Sequence, residues 1–209
     1  METMPVMNTP FELAAQALAR ALLPDPFYAA ISADLAAGAP ARHELLCRYF
    51  FQALEEAQQF GAVSLLEPEP RGAAIWLYPQ PAGAQENLVC EKNEFLSDLF
   101  GREGFLRYQA VVDSMHSRAL RVLPPASWYL SIVGLDPHLQ GRGLGERLLQ
   151  PTLAAADKAG VPCYLETFND RTRRFYQRLG FTEAAAHYEP LVASQYWIML
   201  RAPRKTNLL

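Results

Sequence analysis

Apolar residues recur at helical spacing in two stretches near the start of the chain, residues 11–23 and 42–60. Pro24-Asp25-Pro26 ends the first and Gly61 the second, and Leu45, Leu46, Tyr49, Phe50 and Leu54 share one side of the second, so both are predicted core helices. After Gly61 the pattern changes to short β-rich runs, residues 62–66 and 73–78, separated by Glu67-Pro68-Glu69-Pro70-Arg71-Gly72. That arrangement predicts an antiparallel pair joined by a longer, proline-stiffened loop. Helical composition returns over residues 91–121, interrupted near Gly101 and Gly104 and without a clean apolar stripe, which marks a variable cover. The remaining segments predict a strand over 128–135, a helix over 143–159, a strand over 161–167, a helix over 171–179, and strands over 181–186 and 196–201. This α/β order requires at least one parallel pair made by a right-handed crossover. Pro151, inside the first of these helices, removes an intrahelical hydrogen bond and predicts a kink. The tail after Pro203 is expected to fray.

At 209 residues, half of them hydrophobic, the chain can bury one full core, so a single domain over residues 1–209 is expected. Within it, residues 1–126 form a helical, acceptor-side part, 127–201 the regular core and 202–209 the tail. A formal net charge of −3 gives no global field for nucleic acid or anionic lipid, so anion binding must come from local clusters of arginine. Cys47, Cys90 and Cys163 fit neither a disulfide nor a metal framework, and no charged n-region with an apolar h-region opens the chain. These features point to a cytoplasmic protein without a membrane span, monomeric or homodimeric. His43, His116, His138 and His187 are scattered, with no H-x-E or H-E-x-x-H spacing, and no metal site is expected.

The candidate chemistry lies where the strand over 128–135 turns into the following helix. Gln140-Gly141-Arg142-Gly143-Leu144-Gly145 lets the backbone turn tightly, and the helix start points unpaired N–H groups and its positive dipole end outward. Such a loop can cradle a diphosphate, and it can equally serve as structural capping. The G-x-G-x-G spacing differs from the dinucleotide fingerprint G-x-G-x-x-G, although Glu166 does end the next strand, and the Gly-Lys-Ser/Thr of a P-loop is missing.

The stretch V-G-L-D-P-H-L-Q-G-R-G-L-G-E-R-L-L over residues 133–149 resembles the acetyl-CoA motif of the GNAT acyltransferase superfamily, matching it at Gln140, Gly143 and Gly145. L-E-T-F-N-D-R-T-R-R-F-Y-Q-R-L-G-F over residues 165–181 resembles the second signature of that superfamily, an Asn followed by a helix bearing a Tyr and then Gly-Phe. With W-Y-L before the first motif and P-C-Y-L-E-T after it, the likeness is to the branch of puromycin-type small-molecule acetyltransferases.

The resemblance implies a GNAT fold: a mixed, mostly antiparallel sheet of about six or seven strands flanked by helices, with splayed central strands holding acetyl-CoA. It implies that Val133, Gly134 and Leu135 pair with the pantetheine arm, with Gly134 easing a bulge, and that residues Gly141 to Gly145, including Leu144 and the Arg142 side chain, hold the pyrophosphate. Asn169 would touch the arm, and of the cluster Arg171, Arg173, Arg174 and Arg178 an inward member such as Arg174 would meet the CoA phosphates. Tyr176 stands at the position of the general acid, the Leu135 N–H at that of the oxyanion donor, and Glu166 or His116 would be the base. Trp76, Tyr78, His116 and Tyr129 are candidate acceptor-pocket residues. The expected activity is direct acetyl transfer to the primary amine of a small molecule, with a catalytically silent CoA sensor or a peptide N-terminal acetyltransferase as alternatives.

Overall fold

The computed structural model describes residues 9–33, 38–81 and 86–204. The chain begins with three helices, α1 (Pro10–Leu22), α2 (Pro26–Ile31) and α3 (Gly38–Phe60), followed by strands β1 (Gly61–Leu65) and β2 (Gly72–Leu77) and helix α4 (Glu86–Ala119). Strand β3 (Trp128–Leu135), a single 3₁₀ turn (Pro137–Leu139), α5 (Leu144–Ala159), β4 (Cys163–Thr167), α6 (Asp170–Arg178), β5 (Thr182–Glu189) and β6 (Ser194–Arg201) complete it. From residue 205 the tail lies outside the described residues.

Local chemistry explains the helix starts. Thr9 and Glu12 exchange hydrogen bonds as a capping box ahead of α1, and Pro10 follows the cap. Asp25 caps α2 through Phe27 N–H at 2.9 Å, with Pro26 at the first helical position. The residues read as a stop signal for α1 are therefore also the start of a helix that the periodicity did not predict. The expected interruption of α4 falls at Gly101, whose φ of 68° and ψ of 171° divide it into two helices. Helix α5 continues past Pro151 to Ala159 without a break.

The sheet is six-stranded in the order β1-β2-β3-β4-β6-β5, with β3 and β4 parallel and all other neighbours antiparallel, the mixed, mostly antiparallel α/β architecture expected. Both of its faces are covered. Ala73, Ile75 and Ile132 pack with Leu18, Phe50 and Leu54 of α1 and α3 on one side. Ala74, Trp76, Leu130 and Leu165 pack with Leu148, Leu149 and Leu153 of α5 and Tyr176 of α6 on the other. Burying each such large side chain stabilises the fold by roughly 1.5–3 kcal/mol. Leu130 and Ile132 lie two residues apart and still face opposite sides, because the β2–β3 register shifts between Ile75 and Trp76.

Two consequences position the site. The register of β3 and β4 runs only from Trp128↔Cys163 to Leu130↔Leu165, after which β4 stays with β6 and the parallel pair separates. Alternation along β4 puts Cys163 and Leu165 toward α5, leaving Tyr164 and Glu166 on the face that looks toward α2 and α4. Gly134 sits in regular register opposite Ala73, so the bulge expected there lies elsewhere. A Cβ at Gly134 would come within 3.0 Å of Leu18 and 3.1 Å of Ala21, so its glycine lets α1 lie directly on β3.

Candidate active site

At the end of β3, Asp136 N–H donates to the Arg71 carbonyl at 2.9 Å. Antiparallel pairs alternate between bonded and non-bonded, so Leu135 and Val133 turn their backbone groups away from β2, into the gap that β4 leaves. Gln140 Nε2 donates to the Leu135 carbonyl at 3.0 Å and holds the following loop against the strand end. Asp136, 1 % exposed, fastens the same corner: it accepts from Arg20 at 3.0 Å, Arg71 at 3.3 Å and His138 N–H at 3.1 Å. Burial pushes its carboxyl up, but the His138 N–H and the two guanidinium groups outweigh it and hold the group below the usual carboxylate range. This anchor carried no signal in the sequence, because its partners lie on α1 and in the β1–β2 loop.

The loop takes the expected shape. Gly141 (φ 76°) and Gly143 (φ 74°) are left-handed, and Gly143 is the N-cap of α5 with no side-chain cap, so the first N–H groups of the helix stay available. A Cβ at either glycine would meet no atom within 4 Å, so the inner side of the loop can receive a ligand of diphosphate size. Gly145 instead serves packing, since its Cβ would lie 3.2 Å from Phe175. Gly143→Ala places a side chain where left-handed backbone costs about 1–2 kcal/mol. A matching fall in urea-denaturation stability is expected.

One cavity of about 1250 Å³ joins this loop to the interior. Its wall includes Val133, Gly134, Leu135, Gln140, Gly141, Gly143, Leu144, Gly145, Asn169 and Tyr176, and also Glu166, Tyr129 and His116. Asn169 caps α6 through Arg171 N–H at 3.0 Å. Other candidates fall outside. Trp76, wholly buried, faces α5 on the opposite side of the sheet, and Tyr78 packs on Trp128 at 4.2 Å, so neither lines the cavity. Arg142 and Arg174 are exposed and off the wall, whereas Arg171 and Arg178 lie on it. Arg173 is engaged with Asp170, Glu183 and the Trp197 ring.

Glu166 and Tyr176 are the titratable groups best placed for chemistry. Burial pushes the Glu166 carboxyl up to about 7, against the opposing effect of the Tyr129 phenol, which donates to Oε2 at 3.2 Å. Its Oε1 is buried with no hydrogen-bond partner among the described residues. Tyr176 is 7 % exposed, and burial, with the nearby Asp25 carboxylate, raises its phenol well above the ordinary value. No hydrogen bond to that phenol forms among the described residues. Several wall residues were missed from sequence: Asp25, Phe27 and Tyr28 on α2, Tyr49 and Glu56 on α3, Lys92 and Tyr108 on α4, and Tyr164 on β4. Asp25 was legible as an N-cap before proline, and Tyr49 and Glu56, seven residues apart, share one face of α3.

The site thus combines a sheet that parts after its parallel pair, a glycine loop opening a helix at that gap, and a carboxyl and a phenol on the adjoining wall. Residues 86–183 match the family described as an acetyltransferase (GNAT) domain. An uncharacterised N-acetyltransferase of Schizosaccharomyces pombe is 29 % identical over 89 residues, 42 % of this chain and 36 % of its own length. A mycothiol acetyltransferase of Beutenbergia cavernae is 38 % identical over 71 residues, 32 % of this chain and 24 % of its own. These matches therefore span little more than a third, or less, of the curated relatives. In fold, the chain resembles the histone acetyltransferase HPA2 and related acetyltransferase from Corynebacterium glutamicum at a TM-score of 0.62 and 21 % identity, covering 98 % of this chain and 97 % of that one. No helix among the described residues is long and apolar enough to cross a membrane.

Proposed function

We propose that the protein moves an acetyl group from acetyl-CoA to the primary amine of a small molecule by direct transfer between two bound substrates. The observation that carries this reading is the single cavity shared by the glycine loop, the free edge of β3, Tyr176 and Glu166. The residues present fit acetyl-CoA as cosubstrate, which supplies an activated thioester carbonyl. Backbone N–H groups from Gly141 to Gly145 would hold its diphosphate, Arg171 and Arg178 its further phosphate charge, and Val133 and Leu135 its amide-bearing arm.

Each remaining requirement of the reaction falls to a residue on the wall. Glu166 takes the proton of the incoming ammonium, for which a carboxyl near pH 7 is suited. The amine nitrogen then bonds to the carbonyl carbon while the carbon–sulfur bond breaks, and the proton that the nitrogen sheds on becoming an amide restores the Tyr176 phenol once it has protonated the sulfur. Leu135 N–H, turned into the gap, donates to the carbonyl oxygen as it gains charge. Tyr176 donates to the departing sulfur; its raised pKa keeps it protonated, and the same dry surroundings raise the basicity of the thiolate it meets. His116 lies on the wall but is exposed, and the buried Glu166 is favoured as the base. One relative is named for mycothiol and one structure for histone, so the acceptor must be argued from this cavity. Its enclosure by α2 and α4 supports a small molecule rather than a peptide, in line with the likeness of residues 128–130 and 162–167 to the puromycin-type branch.

Direct transfer is checked by varying both substrates and weighing the intact protein after incubation with acetyl-CoA alone. Intersecting initial-rate lines and an unmodified mass are expected. Parallel lines with an acetylated protein would overturn the ternary-complex reading.

A further inference from the structure

Beyond Glu166 the cavity opens into a chamber walled by aromatic rings contributed by five separate elements. Tyr129 of β3 stacks on Tyr164 of β4 at 4.5 Å and 14°. On α2, Phe27 and Tyr28 meet edge to face at 5.1 Å, and Tyr28 reaches Tyr49 of α3 at 5.8 Å. Tyr108 of α4 closes the ring, 6.1 Å from Phe27 and 6.4 Å from Tyr49. All six line the cavity.

Charge is distributed unevenly around these rings. At the reacting end stand two carboxyl groups: Glu166, with a buried and unpartnered Oε1, and Asp25, close enough to Tyr176 to disfavour its phenolate. Beside Tyr49 and Tyr108 lies a third, Glu56, but both of its oxygens are taken by Lys92 Nζ, at 2.9 and 2.7 Å. That pair is neutral as a unit. An extended diamine would bring a second ammonium to this end and find no free carboxylate, and an unpaired charge left in a part-buried chamber is strongly disfavoured. A flat ring is favoured there, because offset and edge-to-face contacts add to the gain from the area they bury.

We infer that the acceptor is an arylalkylamine: a primary amine, delivered to Glu166, on an aromatic body whose far end is uncharged and lies against Tyr28, Tyr49 and Tyr108. This rests on the transferase function proposed above and narrows its substrate.

The test is thiol release from acetyl-CoA by the full chain, with phenethylamine, tyramine and tryptamine set against 1,4-diaminobutane, spermidine and free amino acids. The aromatic amines are expected to exceed the aliphatic ones in kcat/KM by about tenfold or more, the equivalent of one or two ring contacts at 1.4 kcal/mol per decade. Lys92→Met frees Glu56 and should shift the ratio of 1,4-diaminobutane to tryptamine upward by about tenfold, one close ion pair's worth, with KM for acetyl-CoA unchanged. Adding Glu56→Gln removes the freed charge and should return the preference to the aromatic amines, which separates the charge effect from any loss of folding. The inference is overturned if an aliphatic amine or amino acid is the better substrate of the wild type, or if the ratio does not move in a folded Lys92→Met protein. Transfer to aliphatic amines alone would sink this inference and leave the transferase reading standing, whereas no thiol release with any amine would sink both.

Discussion

Glu166→Gln is expected to lower kcat by about 10²–10⁴-fold, the usual contribution of a positioned general base, while KM for acetyl-CoA stays within about twofold. The amide keeps the shape of the side chain and its contact with Tyr129 but cannot take a proton. Because burial raises the Glu166 carboxyl to about 7, the ionised base is scarce below that pH and full above it. The wild-type kcat should therefore rise with pH and level off above about 7, and that limb should vanish in Glu166→Gln. A wild-type limb nearer the ordinary carboxylate value would mean that the buried, half-bonded carboxyl is not the base. Persistence of the limb in the variant would transfer the role to another group, with His116 the next on the cavity wall.

Tyr176→Phe should reduce kcat by roughly 10²-fold without weakening acetyl-CoA binding, because it removes a donor used only as the sulfur departs. The ring packs against Phe175 at 5.2 Å and Phe181 at 6.0 Å, and phenylalanine preserves those contacts, so stability should change little. The loss should be greatest with poor thiol leaving groups. An unchanged kcat would remove Tyr176 from the chemistry and leave it as one more buried aromatic of the α5–α6 side.

The shape of the glycine loop and the caps of α5 and α6 were legible in the sequence because their requirements are local. Left-handed backbone at Gly141 and Gly143, a helix starting beside them, and an Asn cap ahead of Tyr176 are each written in adjacent residues. The aromatic chamber is tertiary. Its rings come from α2, α3, α4, β3 and β4, and packing alone brings Tyr28, Tyr49 and Tyr108 together. Trp76 and Tyr78 were misplaced for a related reason: β2 is buried on both faces, so strand alternation there says which residues share a side but not which side holds the cavity. The register shift opposite Ile75 and Trp76, which sends Leu130 and Ile132 to opposite faces, had no glycine or proline to announce it. Gly134 announced a bulge and instead admits Leu18 and Ala21 of α1. Arginine placement failed likewise, since four arginines within two helical turns share their charge but not their direction, and only Arg171 and Arg178 reach the wall.

The central claim, that loop, gap, phenol and carboxyl act as one acetyl-transferring site, is tested most directly by following thiol release from acetyl-CoA together with the acetylated amine by mass spectrometry. Release that saturates in both substrates, with one thiol formed for each amine acetylated, is the expected result. Tight binding of CoA with thiol release no faster than in buffer, whatever amine is offered, would contradict it and leave a CoA-binding module without catalysis.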